Sequence, residues 1–194
     1  GYGRKRLADA ARAQLEELPY YNTFFQTTHP PAVALSEKLA ELAPPGFNRV
    51  FLVNSGSEAN DTVLRMVRRY WSLRKQPRRR MIISRINAYH GSTVAAASMG
   101  GQSFIHQMDG LPIPEIEHIE EPYWYVNGGY LSPEAYGLKA AQELEKKILE
   151  VGPERIAAFI GEPVLGTGGI VPPPEGYWAA VQEVLNKHDI LLVA

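Results

Sequence analysis

The chain has 194 residues, 45% of them apolar, which is enough to bury a sizeable core. Twenty basic and 21 acidic residues leave a net charge of −1, so no overall field favours nucleic acid or an anionic membrane. The absence of cysteine excludes disulfides, thiolate zinc sites and cysteine nucleophiles, and it allows the cytoplasmic location that we expect.

Two helical patterns precede the first predicted strand. Apolar residues recur at helical spacing over 7–18 and again over 32–43, and an aromatic loop at 20–26 separates them. A short apolar run of β-type residues at 49–53 predicts a strand. After a tight turn, a further helical pattern begins at Ser57.

Three more strands are predicted along the rest of the chain, at 81–83, 156–160 and 190–193. A stretch long enough for a helix precedes each of them, and the one before the third strand shows helical spacing over 134–151. Strands that alternate with helices favour parallel βαβ units covered on both faces, so the predicted fold class is α/β. Between 100 and 132 the pattern dissolves into Gly, Pro and aromatic residues.

These patterns divide the chain into an N-terminal helical segment over 1–45 and a larger α/β domain over 46–194. The first residue is not Met, and the last five residues read as a buried strand with no closing turn. We therefore expect the chain to be part of a longer protein in which the larger domain continues.

The strongest local signal lies between the first predicted strand and its helix, where the chain reads NSGSEAN at 54–60. Small residues at a helix N-terminus leave N–H groups free, and these groups together with the helix dipole favour an anion such as phosphate. The same residues also fit an ordinary helix cap, because Ser55 and Glu58 have capping-box spacing. No Gly-Lys-Ser/Thr follows, which disfavours a nucleotide P-loop.

Two further polar segments follow predicted strands, at the edge where doubly wound sheets bind ligands. The first is NAYHGST at 87–93, in which Tyr89 is placed to cover a planar cofactor. A packed tyrosine beside a satisfied histidine is the structural alternative. In the second segment Glu162 closes a buried strand just before Pro163, so it is either a site acid with a partner or a solvated strand end.

Taken together, the three segments resemble those of the class III aminotransferases, in the fold-type I group of pyridoxal-phosphate enzymes. Their order and strand-end placement match that family. The resemblance covers essentially the whole chain, including PYYNTFF at 19–25 and VPPPEGYW at 171–178. It implies the large domain of that fold, a mostly parallel central sheet flanked by helices, which is truncated here.

The resemblance implies pyridoxal 5′-phosphate as the cofactor. The residues that it places around the cofactor are Ser55, Gly56, Ser57, Tyr89, His90, Gly91 and Glu162. Serines and glycine of the first segment would bind the phosphate, Tyr89 would stack on the ring, and Glu162 would lie beside the ring. In the family, the aspartate that pairs with the ring nitrogen follows the strand ending LLVA, and the Schiff-base lysine lies further downstream. Neither catalytic group is expected within these residues, so the chain alone should be inactive.

Within the class, the chain looks most like the pyruvate-dependent ω-amine and polyamine transaminases. The likeness implies that Tyr21 and Phe24 contact the substrate, and that the active site lies at the interface of a homodimer. Thr167 stands where the ornithine and 4-aminobutyrate subgroup usually carries an acid, which disfavours that subgroup. Leu165 stands where close relatives usually have Gln. The expected reaction moves an amino group from a primary amine or ω-amino acid to a keto acid, with pyruvate the expected acceptor.

Other interpretations stay open. The chain can belong to a mutase or decarboxylase relative, or be a non-catalytic remnant that serves as a dimerisation or binding module. A basic stretch over 65–80 is interpreted as a solvated surface, because no nucleic-acid-binding motif accompanies it. Prolines follow the glycine-rich segment at 166–169, which rules out a dinucleotide fingerprint, and the histidine spacing predicts no metal site.

Overall fold

The computed structural model describes residues 2–108 and 110–194. The chain divides into two compact units, one reaching to Leu52 and the other running from Val53 to Ala194. The division predicted from sequence falls earlier, after residue 45. The N-terminal unit contains α1 (Lys5–Glu17) and α2 (Pro30–Leu42), which confirms both predicted helices. Two prolines open α2, a position that needs no N–H donor.

The larger unit is built on a sheet of four parallel strands, in the order β2-β1-β3-β4. The strands are β1 (Met81–Arg85), β2 (Ile116–Ile119), β3 (Ile156–Ile160) and β4 (Leu191–Val193). Every residue of the central strands β1 and β3 is buried, as expected for parallel strands covered on both faces. The predicted α/β class and its parallel sheet are therefore confirmed.

Helices cover both faces of this sheet. In chain order they are α3 (Gly56–Leu73), α4 (Val94–Met99), α5 (Ser103–His106), α6 (Trp124–Asn127), α7 (Pro133–Val151) and α8 (Tyr177–Lys187). One apolar cluster joins α7 and α8 to Ile83 and Phe159, and a second joins α3 and α4 to Ile82 and Ala158. Neighbouring residues of a strand thus serve opposite cores, because side chains alternate between the two faces.

The strand predicted at 49–53 is wrong. None of these residues has strand structure, and Phe51 and Leu52 are exposed. Apolar β-type residues describe a segment that fits a pleated surface, but a strand forms only where a neighbour bonds its backbone. A short apolar run alone is therefore not sufficient to predict a strand.

The irregular excursion predicted between 100 and 132 also needs correction, because it contains β2. This short edge strand pairs with β1 alone, with Ile116 opposite Ile82 and Ile119 opposite Arg85. Its two middle residues are Glu117 and His118, both half-buried. The apolar signal is therefore only two residues long, too short to stand out among the surrounding glycines and prolines.

The basic stretch over 65–80 is not wholly a solvated surface. Arg79 is buried, and its guanidinium carbon lies 4.4 Å from the ring centre of Trp71. This pair sits where the strands begin, at what we call the amino edge of the sheet; the opposite side, where the strands end, is the carboxyl edge.

Within the described residues, no helix combines the length and apolar character needed to cross a membrane.

Candidate functional site

The three segments singled out in the sequence meet at the carboxyl edge of the sheet. Three hydrogen bonds tie the loop after β1 to the first turns of α3. They join the Ser92 N–H to Ser57 Oγ (3.0 Å), Asn60 Nδ2 to the His90 carbonyl (2.7 Å) and Thr93 Oγ1 to Asp61 Oδ1 (2.7 Å). Glu162, in the loop after β3, accepts the Tyr89 N–H on Oε1 at 3.1 Å. One continuous network therefore links all three segments.

The N-terminus of α3 is capped by its own side chains. Ser55 Oγ accepts the Glu58 N–H at 3.2 Å, and Glu58 Oε2 accepts the Asn54 N–H at 2.9 Å. In the usual capping box the glutamate returns to the cap residue itself, whereas here it reaches one residue further back. The helix-cap interpretation is therefore confirmed.

The cap leaves the anion-binding capacity of this helix end intact. The N–H groups of Gly56 and Ser57 make no hydrogen bond within the described residues. A Cβ on Gly56 would meet no described atom within 4 Å apart from its chain neighbours and the backbone of α3, so space is open at this helix end. Because Ser57 Oγ serves as an acceptor for the Ser92 N–H, its own proton remains free to donate. Cap and anion site are thus compatible.

Gly91 allows the loop after β1 to approach α3. Its φ is +132°, and a Cβ at this position would lie 2.5 Å from Ser57 Oγ and 2.8 Å from Ser57 Cα. Both the backbone conformation and the lack of space exclude a side chain here. The structure therefore gives Gly91 a close-packing role beside the predicted phosphate segment.

His90 and Tyr89 have different surroundings. The His90 ring is buried, with Nε2 3.2 Å from Ser84 Oγ, whereas Tyr89 is 41% exposed. Burial lowers the pKa of His90 to about 4; the Glu162 charge opposes this change and the Arg85 charge reinforces it. His90 is therefore neutral at physiological pH and holds the loop from beneath, while the Tyr89 ring remains accessible.

The Glu162 carboxylate bridges the two loops at the carboxyl edge. While Oε1 accepts the Tyr89 N–H, Oε2 accepts the Gly166 N–H at 2.8 Å. Two backbone donors therefore hold one half-buried carboxylate. This arrangement argues against the alternative in which Glu162 is only a solvated strand end.

The loop after β3 places Leu165 and Thr167 differently. Leu165 is buried, forms an isolated bridge with Val171 and packs with it and Ala88 in a small apolar cluster. Thr167 is exposed at the tip of the loop. The residue that departs from the usual Gln is thus part of the packing that supports the loop.

Three residues of this edge were missed in the sequence. Arg85, the last residue of β1, is completely buried, and its Nη2 donates to the Glu162 carbonyl. Trp178 Nε1 donates to the Pro163 carbonyl at 3.1 Å, and its ring lies 5.4 Å from the Arg85 guanidinium carbon. Burial raises the pKa of Tyr177, and the nearby Arg85 charge partly offsets this change. The available signal was an arginine shortly after the apolar run Met81-Ile82-Ile83 of a predicted strand.

The two predicted substrate contacts lie in the N-terminal unit, in the loop between α1 and α2. Phe24 is exposed and meets Phe25 edge to face, with 5.2 Å between the ring centres, and Tyr21 is also exposed. Both residues are described within that unit alone. Their role as substrate contacts stays a prediction.

Residues 1–194 match the family described as aminotransferase class-III. The chain is 56% identical over 194 residues to the putrescine–pyruvate aminotransferase of Pseudomonas aeruginosa. It is 46% identical over 197 residues to the diaminobutyrate–2-oxoglutarate transaminase of Halomonas elongata. In each case all of this chain and 42% of the relative are aligned.

Solved structures agree. The omega transaminase of Pseudomonas jessenii in complex with PMP matches with a TM-score of 0.97 at 45% identity, over 100% of this chain and 43% of that one. This likeness confirms the expected fold over the whole chain. The chain spans less than half the length of the relatives it matches. It belongs to the class-III aminotransferase family.

Proposed function

We propose that this chain is the front part of the cofactor-binding domain of a pyridoxal-phosphate-dependent transaminase. The protein would move an amino group from a primary amine or ω-amino acid to a keto acid, with pyruvate as the expected acceptor. The observation that carries the proposal is the convergence of open helix donors, Tyr89 and Glu162 at one edge of the sheet. The printed activities of the relatives, with putrescine and pyruvate in one name, support this choice of substrates.

The residues of this edge fit two chemical parts of the cofactor, its phosphate and its planar ring. A phosphate needs donors and a positive helix end, which Gly56 and Ser57 offer at the start of α3. A planar ring needs an accessible aromatic face, which Tyr89 offers. The cofactor itself, when bound, supplies the electron sink that stabilises negative charge at the substrate's Cα.

Each part of the edge has a distinct task in this proposal. The free N–H groups of α3 and the Ser57 hydroxyl proton bind the phosphate, and the close approach permitted by Gly91 keeps that segment and the Tyr89 loop in register. Glu162 fixes the backbone of Tyr89 and therefore the plane in which its ring can stack. His90 stays neutral, so the charge of the loop does not change across physiological pH.

The Schiff-base lysine and the aspartate for the ring nitrogen are expected outside these residues. We therefore propose that the chain alone is inactive and that the full-length protein is a cytoplasmic homodimer with its active site at the interface. Exposed aromatic and apolar residues between β2 and α7 support an interface. They are Trp124, Tyr125, Val126, Tyr130 and Leu131.

Absorption spectroscopy tests the proposal. Pyridoxal phosphate is titrated into this chain and, in parallel, into the chain extended to the full length of its relatives. We expect a borohydride-reducible imine band, and transfer of nitrogen from putrescine to pyruvate, in the extended protein alone. If the extended protein gains neither, the remnant hypothesis, a dimerisation or binding module, replaces the transaminase.

A further inference from the structure

Arg85 is a buried cation whose hydrogen bonding is incomplete. It is 0% exposed, and a single bond, from Nη2 to the Glu162 carbonyl, joins it to a described residue. Its Nε and Nη1 and the hydroxyl oxygen of neighbouring Tyr177 are buried without a hydrogen-bond partner among the described residues. Burying a cation costs folding free energy, which the contacts of Arg85 must offset.

Arg85 and Trp178 together hold the backbone that directly follows β3. Arg85 binds the carbonyl of Glu162, Trp178 binds the carbonyl of Pro163 at 3.1 Å, and the two side chains stack with 5.4 Å between guanidinium carbon and ring centre. Two consecutive carbonyls are thus fixed by one stacked pair. The side chains of this pair pack tightly against Gly161, because a Cβ there would lie 3.0 Å from Trp178 and 3.3 Å from Arg85.

This pair reaches the candidate cofactor site through Glu162. The backbone of Glu162 is fixed from below by Arg85, and its carboxylate holds the N–H groups of Tyr89 and Gly166. A displacement of the Glu162 backbone is therefore passed to both loops. Neither Arg85 nor Trp178 needs to touch the cofactor to exert this effect.

We propose that Arg85 and Trp178 form a clamp that positions Glu162, and that Arg85 is a positioning residue of the transaminase site. The clamp fixes the orientation of the Glu162 carboxylate and, through it, the placement of Tyr89. The inference deepens the proposed function and rests on it for its catalytic consequence, whereas its structural part stands on the hydrogen bonds alone.

The test uses the full-length protein with Arg85→Met, Glu162→Gln and the double variant. Arg79→Met is the matched control, because Arg79 is also a buried arginine stacked on a tryptophan but lies at the amino edge. Hydrogen exchange of the Tyr89 and Gly166 amides is measured without cofactor. We expect Arg85→Met to speed both by roughly fivefold, the worth of a typical hydrogen bond, and Arg79→Met to leave both unchanged.

In the cofactor-loaded protein, Arg85→Met should lower kcat/KM for the amine by roughly 10- to 100-fold, the penalty of a displaced site group. If Arg85 acts through Glu162, the double variant is no slower than Glu162→Gln alone. Trp178→Phe, which keeps an aromatic ring but loses the N–H donor, covers the case in which Arg85→Met does not fold; it should speed the same two amides.

Unchanged exchange at both amides, or losses that simply add in the double variant, would overturn the proposal. If the wild-type protein binds no pyridoxal phosphate, the proposed function fails, and the exchange measurement still decides whether the clamp orients Glu162. The two failures are therefore distinguishable.

Discussion

Both edges of the sheet hold a buried arginine stacked on a tryptophan, but the two arginines differ in how fully they are bonded. At the amino edge, Arg79 Nε donates to Gln76 at 2.7 Å, and its terminal nitrogens donate to the carbonyls of Ile156, His188 and Asp189. At the carboxyl edge, the Arg85 side chain makes one hydrogen bond to a described residue, and its Nε and Nη1 have no partner among these residues. The same pair of residue types therefore serves the fold at the amino edge and, in our proposal, a cofactor site at the carboxyl edge.

The contrast extends beyond the two arginines. At the amino edge, Trp71 Nε1 donates to the Ala157 carbonyl at 2.8 Å, which completes the bonding of that pair. At the carboxyl edge, the N–H groups of Gly56 and Ser57 remain open in addition to the Arg85 nitrogens. Among the described residues of the larger unit, the buried side-chain atoms without a hydrogen-bond partner belong to Arg85 and Tyr177, at the edge where parallel α/β sheets bind ligands.

The largest loss of stability is expected from a substitution at the amino edge. Arg79→Met in the full-length protein should lower the free energy of unfolding by about 3 kcal/mol, because buried carbonyls lose a charged donor. Arg85→Met should cost clearly less, since only one carbonyl loses its partner. Urea unfolding measures both. A larger loss for Arg85→Met would mean that the carboxyl-edge arginine is also chiefly structural.

A smaller effect is expected at Gly91. Gly91→Ala introduces a Cβ 2.5 Å from Ser57 Oγ at a φ of +132°, so we expect a loss of roughly 2 kcal/mol in unfolding free energy. Gly56→Ala is the control, because its Cβ would meet nothing within 4 Å and its φ is not in the left-handed region. Equal stability of the two variants in urea would contradict the close-packing role of Gly91.

A substitution in the predicted phosphate segment should weaken the binding of pyridoxal phosphate. Ser57→Ala removes a hydroxyl donor from the predicted phosphate site, and the dissociation constant for pyridoxal phosphate should rise roughly tenfold. Ser132→Ala removes the Oγ that caps α7 by accepting the Ala135 N–H at 3.2 Å, so it should lower stability but not affinity. Fluorescence titration separates the two outcomes. Equal affinity losses would show that Ser57 acts only through folding.

The smallest effect is a pH dependence from His90. Its folded pKa of about 4 lies below the ordinary value of 6.5, so its stabilising contribution is complete above pH 6.5 and is lost as pH falls towards 4. The loss at pH 5.5 should be on the order of 1 kcal/mol. His90→Gln, with an uncharged amide, should flatten the profile, and burial of His118 leaves a residual slope because its pKa is also lowered. If the pH dependence of stability is unchanged in His90→Gln, it arises from groups other than His90.

Sequence periodicity predicts the secondary structure correctly wherever a segment has one strongly apolar face or is apolar throughout. The helices α1, α2, α3 and α7 and the buried strands β1 and β3 follow the predicted pattern closely. The edge strand β2 was missed because Glu117 and His118 interrupt it, and 49–53 was overpredicted because an apolar run says nothing about a neighbouring strand. Pairing is a long-range property that local composition does not contain.

The same distinction applies to the site. Ser55, Gly56 and Ser57 form one local motif, and Tyr89 and Glu162 each follow a recognisable strand, so local pattern singled out these segments, while their roles at a cofactor stay predictions that rest on the family resemblance. Arg85 and Glu162 are 77 residues apart and meet only because β1 and β3 are neighbours in the sheet. Within its own segment Arg85 is simply a polar residue at a strand end, and the clamp with Trp178 exists only in the fold.

Amide exchange with and without pyridoxal phosphate tests whether the open donors at the carboxyl edge bind the cofactor. In the full-length protein, the Gly56 and Ser57 amides should exchange more slowly when the cofactor is bound, and the amides around Arg79 should not change. Cofactor binding that leaves Gly56 and Ser57 unprotected, or that protects the amino edge instead, would contradict the account.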